Sequence, residues 1–267
     1  MDIESIVENT VHSAIVSYLD KKSAPTTKHV ILDSIFPIER RIRSIIGGLE
    51  TSIGIKIWEK LSYEFARKSG FEIKDTKQFR KPKVLPKRVS DYLSKMKQER
   101  ENSPYDSNFQ DVLSDLRSIC KEESDDNLTY VNTSSGDGID MWFVKDGVNY
   151  IFDTKTVQIN AGGGNNFANK VLHWYAYFWL RFPNEKILAG IVFPYSPYAP
   201  TFDSASWWKN NGNRAKPMQR GNDAFVQDEF WDLITGTKNS WSKIKIGIAR
   251  VDSAKLMAKY SSLFYGR

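Results

Sequence analysis

Apolar residues in the first half of the chain recur every three or four positions, as they do along one face of a helix. The first such stretch covers residues 2–20. A longer one covers residues 38–69, and we expect it to be interrupted at Gly47-Gly48 or Gly54 and to end at Gly70. The predicted helices of this half span residues 2–20, 38–69, 86–100 and 109–121.

The second half changes to short runs of β-branched and aromatic residues, which are typical of strands. A helix rich in aromatic residues is expected at 167–182, packed on the sheet, with a glycine- and asparagine-rich loop at 160–166 before it and a loop-rich excursion at 195–225 after it. We therefore expect a single α/β domain, with a mainly helical part at 1–125 and a central mixed β-sheet flanked by helices in 126–267. The predicted strands span residues 128–132, 139–145, 148–157, 187–194 and 243–250.

Two of these strands flank Asp146-Gly147, a dipeptide that strongly favours a two-residue hairpin turn. With this turn, Lys145 faces Val148 and each pair of facing positions sums to 293, so Asp140 lies across from Asp153. Facing carboxylates repel each other. Lys155 follows Asp153 by two positions and leaves the strand on the same face.

This arrangement predicts a site for a hard divalent cation, because magnesium is bound by one or two carboxylates together with substrate phosphates. The strands around the charged residues are strongly apolar, and charge placed against that pattern indicates a site. The ordinary alternative is a solvated hairpin face. Asp137 competes with Asp140 for the first carboxylate position, although its parity places it on the opposite face unless Gly138 forms a bulge.

Composition narrows the possible chemistry. The chain of 267 residues has one cysteine and three histidines, which excludes disulfides within the chain and argues against a zinc site rich in cysteine or histidine. Cys120 is expected to be a buried helical residue. A net charge of +6 favours a polyanionic partner. We expect no membrane span and no signal peptide, and a reducing cytoplasmic location.

Asp140, with Asp153-Thr154-Lys155 on the next strand, resembles the PD-(D/E)xK nuclease pattern, although Ile139 stands where that pattern has proline. Four longer segments resemble the TdeIII-like type II restriction endonucleases. They are ERRIRSIIGGLETSIGIKIWEKL at 39–61, GDGIDMWFVKDGVNYIFDTKT at 136–156, FPYSPY at 193–198 and DEFWDLITG at 228–236.

The resemblance implies a restriction-endonuclease-like core and Mg²⁺-dependent hydrolysis of duplex DNA at a short palindrome, with GGNCC as its sequence and 5′-phosphate ends. It also implies a prokaryotic restriction-modification system. A palindromic site has two-fold symmetry, so a two-fold symmetric enzyme, a homodimer, is expected to bind it. Lys155 would orient the nucleophile or stabilise transition-state charge. Similar enzymes place a helical glutamate near the metal, and Glu59, five residues after Gly54, fits this better than Glu50.

DNA contacts are expected from two basic segments. Residues 77–100 suit a phosphate-contacting arm, with a solvated helix as the alternative. Residues 195–221 suit base reading, with dimerisation as the alternative. Lys170 and His173 are further phosphate candidates unless they lie on an ordinary helix surface. The DNA-binding residues proposed from sequence are Lys87, Arg88, Gln158, Asn160, Lys209, Arg214, Lys216 and Arg220.

Two other functions remain open at this stage. One is a repair or junction nuclease with the same core, and the other is a DNA-binding module whose hairpin has lost catalysis. Magnesium-dependent cleavage separates the last from the other two, and discrete fragments separate a restriction enzyme from a repair nuclease.

Overall fold

The computed structural model describes residues 1–22, 29–102, 108–125, 127–134, 136–155, 158–160 and 162–266, with the backbone alone at residues 51 and 53–56. The chain forms two compact units, Met1–Phe65 with Asn239–Arg267, and Ala66–Lys238. The organisation of the chain as one domain stays a prediction. No helix within the described ranges is long and apolar enough to cross a membrane.

The elements follow in the order α1 Ile3–Asp20, α2 Val30–Ile35, α3 Pro37–Ile53, a π-helical turn Gly54–Glu59, α4 Lys60–Lys68, β1 Glu72–Ile73, a 3₁₀ turn Thr76–Gln78, β2 Arg80–Pro82, α5 Lys87–Asn102, α6 Phe109–Glu123, β3 Tyr130–Asn132, β4 Met141–Lys145, β5 Val148–Thr154, α7 Gly163–Arg181, β6 Lys186–Phe193, α8 Ser204–Ala215, β7 Ala224–Val226, α9 Asp228–Thr235, α10 Ser240–Ala249, α11 Ser253–Lys259 and α12 Ser261–Tyr265.

The predicted helices of the first half are present. The Asp2 side chain caps α1 by accepting a hydrogen bond from the Ser5 backbone N–H at 3.1 Å. The long helix predicted at 38–69 is interrupted at Gly54, where the π-helical turn separates α3 from α4. The helix is followed by Gly70, whose φ of +80° is accessible to glycine at little cost.

The strand predicted at 243–250 is wrong, because this segment forms α10. Its alternating isoleucines suggested a strand, yet Trp241, Ile244 and Gly247, which are three apart as in a helix, are buried together with Ser240. Gly247 packs against α1 so closely that an added Cβ would lie 2.6 Å from the Glu4 carbonyl oxygen. Tertiary packing on α1 thus overrides the local strand preference.

The second unit contains a five-stranded mixed sheet in the order β1-β4-β5-β6-β7. Strands β1, β4 and β5 pair antiparallel, whereas β5, β6 and β7 are parallel. The unit therefore has the α/β architecture, with a central mixed sheet flanked by helices, that the sequence predicted. Strand β3, also predicted, pairs with β2 in a separate two-stranded sheet.

The β4–β5 hairpin has the predicted register. Lys145 pairs with Val148 and Met141 with Phe152, so the numbers of each pair of facing residues sum to 293. Both turn residues have positive φ, 50° at Asp146 and 73° at Gly147, as this kind of turn requires. Residues 156 and 157, included in the predicted strand 148–157, lie outside the described residues.

Helix α7 places one face of the sheet in the core, because it packs against β6 and against α5 and α6. Trp142 and Ile151 belong to this buried face together with most of α7. Phe152 points to the other face, where its ring meets those of Phe225 and Phe230 at centroid distances of 5.5 and 5.2 Å. Since side chains alternate along β5, Asp153 leaves on the α7 side.

Two loop predictions need correction. Helix α7 begins at Gly163, within the segment 160–166 that was expected to be a loop; Ala161 lies outside the described residues. An added Cβ at Gly164 would lie 2.3 Å from the Arg214 carbonyl oxygen, so the glycine permits α7 and α8 to approach closely. Helix α8 also shows that 195–225 is not all loop. Its capping box, built on Asp203 and Ser206, is a signal for a helix start that the sequence contains.

Candidate active site

The geometry of the candidate site begins at the end of β5. Asp153 is 2% exposed, and its carboxyl group is surrounded by charged and polar groups. Lys155, the second residue after it, continues the parallel pairing with β6, because its backbone N–H donates to the Val192 carbonyl at 2.9 Å. The paired backbone holds Asp153 and Lys155 at the end of an otherwise apolar strand.

Asp140 lies opposite Asp153, immediately before β4. Its backbone N–H donates to the Phe152 carbonyl, and its Oδ2 accepts the Thr154 backbone N–H, both at 2.9 Å. Asp140 is thus bonded to both chain neighbours of Asp153. The two carboxyl groups are also within hydrogen-bonding contact of each other.

Two lysines bind the two oxygens of Asp153. Lys155 Nζ lies 2.7 Å from Oδ1, and Lys170 Nζ lies 2.5 Å from Oδ2. Lys170 comes from α7, and its side chain is 15% exposed, compared with 33% for Lys155. The candidate site therefore joins the two carboxylates of the hairpin, the motif lysine and a fourth residue from a separate helix.

These neighbours determine the protonation of Asp153. Burial is the largest influence on the pKa of Asp153 and raises it. The hydrogen bond with Asp140 and the positive charges of Lys170 and Lys155 act in the opposite direction, and they bring the pKa below its usual value. Asp153 is consequently ionised at neutral pH in spite of its burial.

The carboxyl pair fits a divalent cation. Ionised carboxylates only accept hydrogen bonds, so contact between two of them requires a shared proton or a cation. Among the described residues, no group of three or more His, Cys, Asp or Glu side chains could hold a metal ion. The donor set therefore suits a hard cation that takes two carboxylates and completes its coordination with water and substrate phosphates, as magnesium does.

A cavity of about 490 Å³ lies beside this cluster. Lys155 and Lys170 both line it, and α7 contributes Asn166, Asn169 and His173. Asn166 and His173 are four and three positions from Lys170 and share its helix face, and Asn169 is three and four positions from Asn166 and His173. The cavity wall next to the carboxylates is therefore cationic and rich in hydrogen-bond donors, which suits an anionic ligand.

Asp137 has a different environment from Asp140. Its side chain is 51% exposed and pairs with Lys81 at 3.3 Å. Its backbone carbonyl accepts a hydrogen bond from Trp174 Nε1 at 2.9 Å, and the residue lies at the rim of the cavity. The carboxyl group in contact with Asp153 is that of Asp140, as the hairpin register predicted.

The candidate glutamates lie in the other unit. Glu50 belongs to α3 and Glu59 ends the π-helical turn, and both are part of Met1–Phe65. Asp140, Asp153 and Lys155 belong to Ala66–Lys238. The approach of Glu59 to the metal stays a prediction.

The residues predicted to read bases occur on α8 and on the chain that follows it. Lys209 and Arg214 are exposed on α8, and Lys216 lies at its C-cap. Arg220 is 55% exposed, yet its Nε and Nη2 donate to Glu229 and Ser204 at 2.5 and 2.7 Å. The C-terminal end of α8 meets the first turn of α7, the helix that carries Lys170.

The other predicted DNA-binding residues are spread over the second unit. Gln158 and Asn160 are exposed between β5 and α7. On α5, Lys87 pairs with Asp91 at 2.6 Å, and Arg88 pairs with Glu122 and Glu123 of α6 at 2.7 and 3.2 Å. Such exposed ion pairs are typical of a solvated helix surface, and the contact of Lys87 and Arg88 with DNA stays a prediction.

The contact of Lys170 with Asp153 was not anticipated, since the sequence suggested only a phosphate contact or a helix surface for this lysine. One signal was available. Lys170 is the single charged residue between Phe167 and Leu180, in a helix segment otherwise rich in aromatic residues. An isolated cation on a buried helix needs a partner, and an anion on the neighbouring strand is the natural one.

Comparison with known proteins agrees with this chemistry. A family model described as "Type II restriction endonuclease, HinfI" matches residues 1–252. No curated protein and no solved structure matches the chain. The matching family differs from the TdeIII-like one that the sequence motifs suggested, whereas the class of enzyme is the same. A match over nearly the whole length means that the chain belongs to the HinfI family of type II restriction endonucleases and is a site-specific deoxyribonuclease.

Proposed function

We propose that this enzyme hydrolyses both strands of duplex DNA at a short palindromic site, with Mg²⁺ as its cofactor, and leaves 5′-phosphate ends. The observation that supports this most directly is the contact between Asp140 and Asp153 beside Lys155, at the edge of a cationic cavity. A repair or junction nuclease would use the same core, but the family match favours site-specific cleavage.

Asp140 and Asp153 would hold the metal, with Glu59 as a further ligand. When bound, a divalent cation lowers the pKa of water and offsets negative charge on phosphate oxygens. Lys155 acts beside it, because its side chain is 33% exposed and borders the cavity. From there its ammonium group can orient the attacking water or stabilise the charge that develops on the phosphate in the transition state.

Base reading would belong to α8 and the segment that follows it. Arginine bound in a bidentate manner to guanine is the commonest specific contact in the major groove. Arg214 supports this assignment because it is exposed at the end of α8 that meets α7. Lys209, Lys216, Arg220, Gln158 and Asn160 would add base or phosphate contacts, and Lys87 and Arg88 would contact the backbone.

The recognition sequence GGNCC rests on the motifs that resemble the TdeIII-like enzymes, since the matching family model is that of HinfI. A two-fold symmetric site calls for a two-fold symmetric enzyme, so we propose a homodimer. A chain of 30.7 kDa would then sediment at twice that mass. We place the enzyme in the prokaryotic cytoplasm, as the nuclease of a restriction-modification system.

Digestion of one plasmid of known sequence tests the proposal. We expect discrete fragments in Mg²⁺, and mapping of their ends gives the site, the stagger and the 5′-phosphates without assuming GGNCC. Asp153→Ala is the control, which should bind DNA but not cut it. Nicking or smearing by the wild type would favour a repair nuclease, and binding without cleavage would favour a non-catalytic module.

Arg214→Ala and Arg220→Ala test the assignment of base reading. Loss of a bidentate guanine contact should weaken cognate binding by about 5- to 150-fold (about 1–3 kcal/mol) while non-specific binding changes little. Loss of a phosphate contact should weaken all sequences alike and reduce the salt dependence by about one unit of slope. Equal losses on cognate and scrambled duplexes for both variants would move base reading elsewhere, with Gln158 and Asn160 next to be tested.

A further inference from the structure

Both oxygens of Asp153 are already occupied by lysine ammonium groups, Oδ1 by Lys155 and Oδ2 by Lys170. A divalent cation that binds this carboxylate would be a third positive centre beside the two ammonium groups, and repulsion between these charges favours the departure of one of them. The two lysines differ in origin, since Lys155 is attached to the same strand as Asp153 and Lys170 comes from α7.

Both lysines border the cavity, and Lys155 Nζ lies 5.9 Å from the centre of the Phe167 ring. Lys155 is the lysine already assigned to the attacking water or the transition-state charge, so Lys170 is the one considered for displacement. Its side chain reaches Asp153 from a helix face that borders the cavity, where Asn166, Asn169 and His173 are its neighbours along α7. Its Nζ also lies 5.0 Å from the centre of the Trp174 ring. The attraction between the ammonium group and the ring stabilises the cation independently of its bond to Asp153. Lysine has a flexible four-carbon stem, so its ammonium group can change partner without movement of the helix.

The formal charges explain why such a change would matter. With both carboxyl groups ionised, two aspartates and two lysines sum to a formal charge of zero. Addition of a divalent cation gives a net charge of two positive units, which attracts the phosphodiester of a DNA strand. A lysine released from Asp153 would then face an anion in place of the carboxylate that it lost.

We propose that Lys170 is a second active-site lysine, which occupies Oδ2 of Asp153 in the metal-free enzyme, is displaced when the divalent cation binds, and then contacts a phosphate of the DNA strand in the cavity. This inference rests on the proposed function, because it takes Asp153 as a metal ligand and DNA as the substrate. According to this proposal, binding of the cation at Asp153 releases Lys170 to bind a phosphate.

Metal affinity without DNA gives a direct test. Lys170→Met removes the competing charge but keeps the length of the side chain, so Mn²⁺ titrated into the DNA-free protein should bind about tenfold more tightly than to the wild type. Lys170→Arg keeps the charge and should bind Mn²⁺ about as weakly as the wild type. Lys121→Met is the matched control, because it removes an exposed lysine from α6, away from the cluster, and should change nothing.

A second measurement follows the phosphate contact. In Ca²⁺, DNA binding by Lys170→Met should show a salt dependence smaller by about one unit of slope than the wild type, while Lys170→Arg keeps the wild-type slope. If Lys170→Met folds poorly, Lys170→Gln serves instead, because its amide is also uncharged.

Unchanged or weaker Mn²⁺ binding by the uncharged variants would overturn the proposal and leave Lys170 as a residue that merely positions Asp153. An unchanged salt slope would overturn the phosphate contact. Absence of plasmid cleavage by the wild type would instead contradict the proposed function, and the Mn²⁺ titration would still report on the exchange at Asp153.

Discussion

At the scale of single residues, Asp153 shows why a charged group can persist in an apolar environment. Its burial opposes ionisation, yet Asp140, Lys155 and Lys170 supply enough polar contact to lower its pKa. None of these three residues is close to Asp153 in sequence except Lys155. The ionised state of Asp153 therefore depends on the hairpin and on α7 together.

The difference between Asp140 and Asp137 can be tested by paired substitutions. Asp140→Asn should lower the rate of DNA cleavage at least about a hundredfold, because it removes one of the two carboxylates that we propose as metal ligands. Asp137→Asn should lower the rate less than about threefold, since its exposed pairing with Lys81 contributes little. Single-turnover cleavage of a cognate duplex measures both. Loss of activity in Asp137→Asn together with an active Asp140→Asn would show that the metal site is at Asp137.

Cys120 gives a prediction about protonation. The thiol is fully buried, its Sγ lies 3.8 Å from the Ala176 carbonyl oxygen, and burial raises its pKa to about 12. The thiol should resist an aromatic disulfide reagent at pH 8 in the folded protein and react at once in denaturant, with Cys120→Ala as the unreactive control. Rapid labelling of the native protein would contradict this burial.

Because its pKa differs between the folded and unfolded states, Cys120 makes the stability of the fold depend on pH. The unfolded thiol loses its proton near its ordinary value of 9.0, whereas the folded thiol keeps it. The unfolded state is therefore favoured increasingly as the pH rises above about 9. Chemical denaturation at pH 8 and pH 10 should show a smaller loss of stability for Cys120→Ala than for the wild type.

At the scale of elements, α7 links the site to the rest of the second unit. It covers the sheet, supplies Lys170 and meets the end of α8 at Gly164. A change at this helix crossing should therefore reach the candidate catalytic residues through α7.

Gly164→Ala and Gly212→Ala form a matched pair that tests the crossing. The new Cβ at position 164 would lie 2.3 Å from the Arg214 carbonyl oxygen and 2.5 Å from the Ala215 backbone, so a helix must shift at a cost of about 1–3 kcal/mol. Gly212 lies within α8 with open space around it, and alanine there should stabilise the helix by about 0.5–1 kcal/mol. Urea denaturation measures both changes. A stable Gly164→Ala would mean that α7 and α8 do not approach this closely.

At the scale of the whole molecule, the choice of metal should separate binding from catalysis. Calcium should support specific DNA binding without cleavage, because it is larger, accepts looser geometry and is a weaker Lewis acid than magnesium. EDTA should abolish cleavage, and added Mg²⁺ should restore it. Gel-shift and cleavage assays on the same duplex give the comparison. Efficient cleavage in calcium alone, or in EDTA, would contradict a mechanism that depends on the carboxylate pair.

The sequence by itself determined the features that depend on neighbours along the chain. Asp146-Gly147 set the hairpin turn and thereby the register that brings Asp140 opposite Asp153, because side chains alternate strictly along paired strands. The helical period located α1, α5 and α6, and glycine marked both the interruption before α4 and the position after its end.

The tertiary structure decided what depends on partners distant in sequence. The alternating isoleucines of 243–250 form α10, because Gly247 permits close packing on α1. Lys170 reaches Asp153 because α7 packs on β6, on the face of the sheet where the Asp153 side chain leaves β5, a placement that no local pattern encodes. Local preferences amount to a fraction of a kcal/mol per residue, whereas burial of an apolar face or pairing of a buried charge involves several, so packing prevails where the two disagree.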